Sequence, residues 1–157
     1  MNDMIDEVVV NGLVGKVIGD IAGAMSLFMA YLGDQAGVFN ALDGAGRLTV
    51  DKLAEKLSLN PKYLHEWLGS VCAAGYVRHH AEDGTFSITS EQALVFAREG
   101  QPACMQGFFQ LIVSQFAGHE LATKTFRTGK GRPWGDHPQC LFCGTDRFFR
   151  PGYQTRP

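Results

Sequence analysis

Between residues 13 and 32 apolar positions run almost without a break, rich in Ala, Met, Leu and Gly and free of proline. This pattern predicts a helix apolar on most faces, and such a helix is expected to be largely buried. Gly15, Gly19 and Gly23 recur every four residues and so share one face, where another backbone could approach closely, inside the subunit or across a dimer seam. A second short helix is predicted over residues 34–42, broken by Gly44 and Gly46.

Residues 48–88 carry the most legible pattern. Thr49 is placed to N-cap a helix that turns Leu53, Ala54 and Leu57 inward; after Ser58 and Leu59, Asn60 caps the next helix and Pro61 takes its first turn. Leu64, Trp67, Leu68, Val71 and Cys72 fall at the spacing of a single buried face, which makes Trp67 a core anchor. Gly75 ends the helix. Residues 76–80 and 85–88 then flank Glu82-Asp83-Gly84, a turn signal, so a hairpin is expected with Phe86 and Ile88 on one side. Two helices, a short turn and a hairpin predict a mainly α fold with a small β-hairpin wing, the winged helix-turn-helix.

Beyond the hairpin, Thr89 and Gln92 form a capping-box pattern for a helix over residues 91–98. Met105, Phe108, Phe109, Ile112, Val113 and Phe116 keep helical spacing, and one long amphipathic helix to about residue 124 is expected. From Phe126 onward Gly and Pro punctuate a basic, aromatic stretch with only a brief helix near residues 139–149. The division is therefore residues 1–125, a winged-helix domain with flanking helices, and residues 126–157, a linker.

Charge sharpens this division. The 157 residues carry a net charge of −2, with 45% hydrophobic and 19% charged residues, outside the regime of disordered chains. Residues 124–157 hold +5, and residues 1–123 hold −7. So acidic a body suits a polyanion poorly. On the second helix of the pair, the face opposite the apolar stripe presents Lys62, Glu66, Gly69 and Ala73, too few donors to read bases, and Glu82 and Asp83 at the hairpin tip oppose a phosphate backbone. Specific DNA binding is not expected.

The first ten residues contain acids and no base, unlike a signal peptide. The apolar run over residues 17–32 contains Asp20 and is too short to span a membrane. A cytoplasmic location with no membrane partner is expected, with Cys72, Cys104, Cys140 and Cys143 reduced. His137, Cys140 and Cys143 lie within seven residues but have no fourth ligand at familiar spacing, so no metal site is predicted. Gly129-Lys130-Gly131 lacks the strand and helix of a phosphate cradle and reads as a loop. His65 and His119 have no catalytic partner at helical spacing.

The strings LTVDKLAEKLSLNPKYLHEWLGSVCAAGYV, FRTGKGRPWGD and LFCGTDRFFRPGY resemble the N-terminal winged-helix region and linker of bacterial class I S-adenosylmethionine (SAM)-dependent methyltransferases. The resemblance implies a homodimerising accessory domain that covers a small-molecule substrate pocket beside a SAM-binding catalytic domain. It places Phe148, Phe149, Arg150 and Tyr153 at the mouth of that pocket. The acidic Gly-rich DxGxGxG loop that such enzymes use for SAM is missing from these residues, so this chain is expected to have no catalytic or cofactor-binding residue and no activity by itself. Two other readings stand beside it: a free-standing winged-helix transcriptional regulator, and a small-ligand module using the Phe-rich interior of residues 105–116.

Overall fold

The computed structural model describes residues 5–154. Helix α1 (Glu7–Gln35) leads into a short α2 (Val38–Leu42), then α3 (Val50–Leu57) and α4 (Pro61–Ala73). An antiparallel hairpin, β1 (Arg78–His80) and β2 (Thr85–Ser87), precedes α5 (Ser90–Phe96), α6 (Gln106–Ala117), α7 (His119–Thr128) and α8 (Gln139–Gln154). The fold is mainly helical with one small two-stranded sheet.

The capping chemistry read from the sequence sets the middle of the fold. The Thr49 hydroxyl accepts from the Lys52 amide, and the Asn60 carboxamide oxygen accepts from the amides of Lys62 and Tyr63, so each helix starts at a satisfied end. Gly75, at φ +78°, turns the chain out of α4. Thr89 and Gln92 complete a capping box on α5. In the hairpin His79 stands opposite Phe86, and Leu48 exchanges two backbone hydrogen bonds with Phe86, which docks the hairpin against the segment before α3. That third pairing has no signature in the sequence, because a single bridge needs no alternating run.

Buried Phe39, Leu42, Leu53, Leu68 and Val71 form the core where α2, α3 and α4 meet. Phe96 stacks between Phe39 and Phe109 at ring distances of 5.0 and 5.8 Å, which carries the core from α2 through α5 to α6.

Several expectations are corrected. The apolar N-terminal helix is not largely buried: of its residues only Ala30 and Gly33 are, because the body contacts its last turns and leaves the rest projecting. It also starts earlier, at Glu7, and runs 29 residues with a mean hydropathy of 1.5 over its most apolar 18-residue window. By length and composition it could cross a bilayer, which the sixteen-residue run did not suggest. The second helix begins at Val38 and not at residue 34, since α1 continues to Gln35 and Gly37, at φ +70°, makes the break. The long helix of residues 105–124 is two helices divided at Gly118. The brief helix near residues 139–149 extends to Gln154.

Helix α8 lies along α6, and two glycines set the contact. A Cβ at Gly107 would come within 2.5 Å of the Phe148 amide nitrogen, and one at Gly144 within 2.8 Å of the Leu111 amide nitrogen. Only glycine at both positions lets the backbones approach this closely.

Candidate functional site

Three features of the surface combine shape with chemistry. The first lies at the start of α8's last turns. Arg147 donates to both carboxylate oxygens of Asp34 on α1 at 2.9 and 3.0 Å, to Glu99 at 2.9 Å, and to the Gln110 side chain on α6 at 3.0 Å. The Asp34 hydrogen bonds hold the guanidinium well above its ordinary pKa despite partial burial. Beside it a hollow of about 250 Å³ is lined by Glu99, Gly100, Arg147, Arg150 and Pro151. One donor group thus fixes α1, α6 and α8 relative to one another.

The residues expected at a pocket mouth all sit on this helix. Phe148 packs on α6 with its ring 5.1 Å from Phe108 and 5.0 Å from Phe149. Phe149 and Tyr153 project outward, at 47% and 72% exposure, and Arg150 pairs with Asp146 one turn back. An exposed aromatic pair beside a paired arginine is a surface suited to a partner or to the ring of a small molecule.

The second feature is an apolar groove of about 530 Å³ between the end of α1 and α4, walled by Met29, Leu32, Leu59, Tyr63, Leu64 and Trp67. Trp67 is only half-buried here: its ring edge rests on Phe39 at 5.3 Å and its Nε1–H donates to the Met29 carbonyl at 2.9 Å. The helical stripe identified Trp67, but nothing in the periodicity marked Tyr63, which stands exposed at the rim.

The third is a cavity of about 310 Å³ between α6, α7 and α8, lined by residues that include Leu121, Phe126, Arg132 and His137. The Arg132 guanidinium donates to the Asp136 carbonyl, while its Nε is buried with no hydrogen-bond partner. Phe126 and Arg132 of the FRTGKGRPWGD segment line this cavity, and Gly129, at φ +68°, ends α7 between them in the chain.

Elsewhere, Lys62, Glu66, Gly69 and Ala73 form an exposed face of α4, and Arg47 binds both Glu82 and Asp83 at the hairpin tip. Those hydrogen bonds help hold both carboxyls below their usual range: the main cause is a backbone hydrogen bond for Glu82 and the Thr85 hydroxyl for Asp83. The tip therefore stays anionic at neutral pH. His137 rests 5.5 Å from the Trp134 ring, and among the described residues no three His, Cys, Asp or Glu side chains gather where a metal would bind. His65 and His119 are exposed on different helices.

Comparison with known families decides the nature of the central segment. Residues 23–98 match the family model of the Rv2258c-like winged HTH domain. Over this segment the chain is similar to a winged helix-turn-helix domain. The segment runs from the second half of α1 through the α3–α4 pair and the hairpin to the end of α5. A comparison with curated protein sequences finds no match.

Among solved structures the chain is similar to PigF with SAH (TM-score 0.67, 13% identity, 91% of this chain and 45% of that one). It is also similar to the mitomycin 7-O-methyltransferase MmcR (TM-score 0.63, 19% identity, 79% and 37%). A third likeness is to human N-acetylserotonin methyltransferase in complex with SAM (TM-score 0.64, 16% identity, 98% and 45%). The chain spans less than half the length of each of these proteins. At these identities the likeness is one of fold, and it extends beyond the matched segment to nearly the whole chain.

Proposed function

We propose that the chain is the accessory region of a SAM-dependent methyltransferase, with its hairpin as an architectural wing, dimerising through α1 and covering a small-molecule substrate pocket. The observation that carries this reading is coverage. The likeness to methyltransferase structures is not confined to the winged helix and takes in 91% and 98% of this chain, the helices after the hairpin included, in two of the three cases. In this reading SAM belongs to the Rossmann-like partner domain and not to residues 1–157. Phe148, Phe149, Arg150 and Tyr153 on α8 form the side of the pocket mouth, rigidly placed by the Gly107–Gly144 crossing and by Arg147. The α4 face and the anionic hairpin tip argue against a nucleic-acid partner. The compartment in this proposal is the cytoplasm.

Calorimetry and gel shift together test the proposal. Residues 1–157 titrated with SAM should give no binding tighter than about 100 μM, roughly −5.5 kcal/mol, and DNA should give no sequence-selective shift at roughly 150 mM salt. Tight SAM binding by this chain would place the cofactor site here and sink the accessory reading. A sequence-selective shift would replace it with the regulator.

A further inference from the structure

From Val10 onward the large side chains left exposed on α1 are ordered along one seam. From Val10 to Leu32 they recur after four, three, four, four, three and four residues, and the members of this series are between 38% and 58% exposed. At 3.6 residues per turn they fall within an arc of roughly 80°, with Leu13 and Ile18 at its edges. Ala30 and Gly33, which meet the body, lie on the opposite side of the helix. Each half of the seam is an eleven-residue repeat, close enough to the helical period to stay on one face of a nearly straight helix.

The series also reads the same from either end, with Ile21 at its centre. An antiparallel copy of α1, related by a two-fold axis at Ile21, therefore sets Val10 opposite Leu32, Val14 opposite Phe28, and Val17 opposite Met25, while Ile21 meets its own counterpart. Two-fold interfaces require this self-complementarity. The only charged residues along the seam's length, Lys16 and Asp20, pair with each other at 2.5 Å on the flank and stay clear of it.

We infer that α1 is the dimer helix, and that two copies pair antiparallel in this single register; the inference rests on the dimer reading above and specifies it. The seam is roughly 33 Å long and 10–12 Å wide, about half of the roughly 800 Å² that each partner buries in a standard interface. The remainder lies next to it. Met29 and Leu32 wall the apolar groove, so the first turns of the partner helix arrive beside the groove and cover it. A bilayer would match the hydropathy of α1, but it has no use for a palindromic spacing confined to one side.

Cysteine cross-linking of the full chain reads the register directly. Ile21 and Val14 touch nothing that the fold depends on, so Ile21→Cys and Val14→Cys should fold as the parent does. With oxidised glutathione, Ile21→Cys should form a 21–21 disulfide. Val14→Cys alone should not cross-link to itself, but mixed with Phe28→Cys it should give the 14–28 bond. Peptide mass spectrometry separates these bonds from those of the four native cysteines. A dimer in sedimentation that forms 14–14 bonds, or lacks the 21–21 bond, overturns the antiparallel register and leaves the dimer reading standing. A monomer at micromolar concentration overturns both. Co-flotation with phosphatidylcholine vesicles accompanied by loss of the 21–21 bond would assign α1 to the membrane.

Discussion

Arg147 and Asp34 lie 113 positions apart in the chain and are joined by two parallel hydrogen bonds, with Asp34 only 5% exposed. The carboxylate belongs to the last turn of α1 and the guanidinium to α8, so the pair closes the fold from its first helix to its last. A buried pair of this kind is costly to break from one side, because the group left behind is an uncompensated charge. Arg147→Met should therefore destabilise the chain by about 3–5 kcal/mol. Adding Asp34→Leu should recover much of that loss, since it removes the stranded carboxylate. If the losses of Arg147→Met and Asp34→Leu, measured by urea unfolding, simply added in the double variant, the pair would not be coupled.

The α6–α8 crossing gives a second test that involves no charge. Gly107→Ala places a methyl group against the backbone of α8, 2.5 Å from the Phe148 nitrogen, where no side-chain rotation relieves it. The expected cost is about 1–3 kcal/mol, with a similar cost for Gly144→Ala. The double variant should cost less than the two added together, because once the helices have separated the second methyl finds room. If each alanine raised stability, as it does at exposed helix positions, the close approach would be wrong.

These two relationships also show where the sequence stops being informative. Thr49, Asn60, Gly75 and the Thr89–Gln92 pair were legible because a cap acts within three or four residues of itself. The core stripe around Leu64 and Leu68 was legible because helical period and burial coincide there. Arg147 had no local signature, since its partners come from α1, α6 and the segment after α5. Gly144 of α8 read as loop punctuation and Gly107 of α6 carried no signal until the two helices were seen to cross. The exposure of α1 was hidden for another reason: hydropathy says that a face needs cover and is silent on which molecule supplies it. The residues resembling a pocket mouth share α8, but the substrate they would meet belongs to the proposed function.

Acid should weaken the fold partly through Asp43. Arg98 donates to both of its carboxylate oxygens at 2.9 and 2.8 Å, and this pairing holds the carboxyl below its ordinary pKa. A carboxyl lowered in the folded state binds its proton more readily when unfolded, so its stabilisation is present above the ordinary value of about 3.9 and is lost as pH falls through the folded value. Asp43→Asn should be less stable than the parent at about pH 6 and should approach it by about pH 3. A gap between the two denaturation midpoints that stayed constant across that range would remove Asp43 from the acid response.

Trp67 and Gly33 provide the last test, at the wall of the apolar groove. A Cβ at Gly33 would lie 2.2 Å from Cζ2 of Trp67 and 2.7 Å from Cε2 of Phe39, so Gly33→Ala must push both rings aside. The cost should be about 1–3 kcal/mol, and the emission of Trp67 should shift toward that of a more solvated indole. Trp67→Ala should lose about 3 kcal/mol, the low end for a tryptophan truncation, because the ring is half-buried and its Nε1–H bond to Met29 is also removed. The decisive measurement is the combination. With the indole gone, the edge of Phe39 that faced it at 5.3 Å can yield into the vacated space, and alanine is favoured over glycine within a helix by about 1 kcal/mol. Gly33→Ala should therefore be neutral or stabilising in the Trp67→Ala background, although it is harmful in the parent. Simple additivity of the two changes would show that Trp67 does not occupy the space above Gly33, and the position of α4 against α1, with the groove between them, would have to be redrawn.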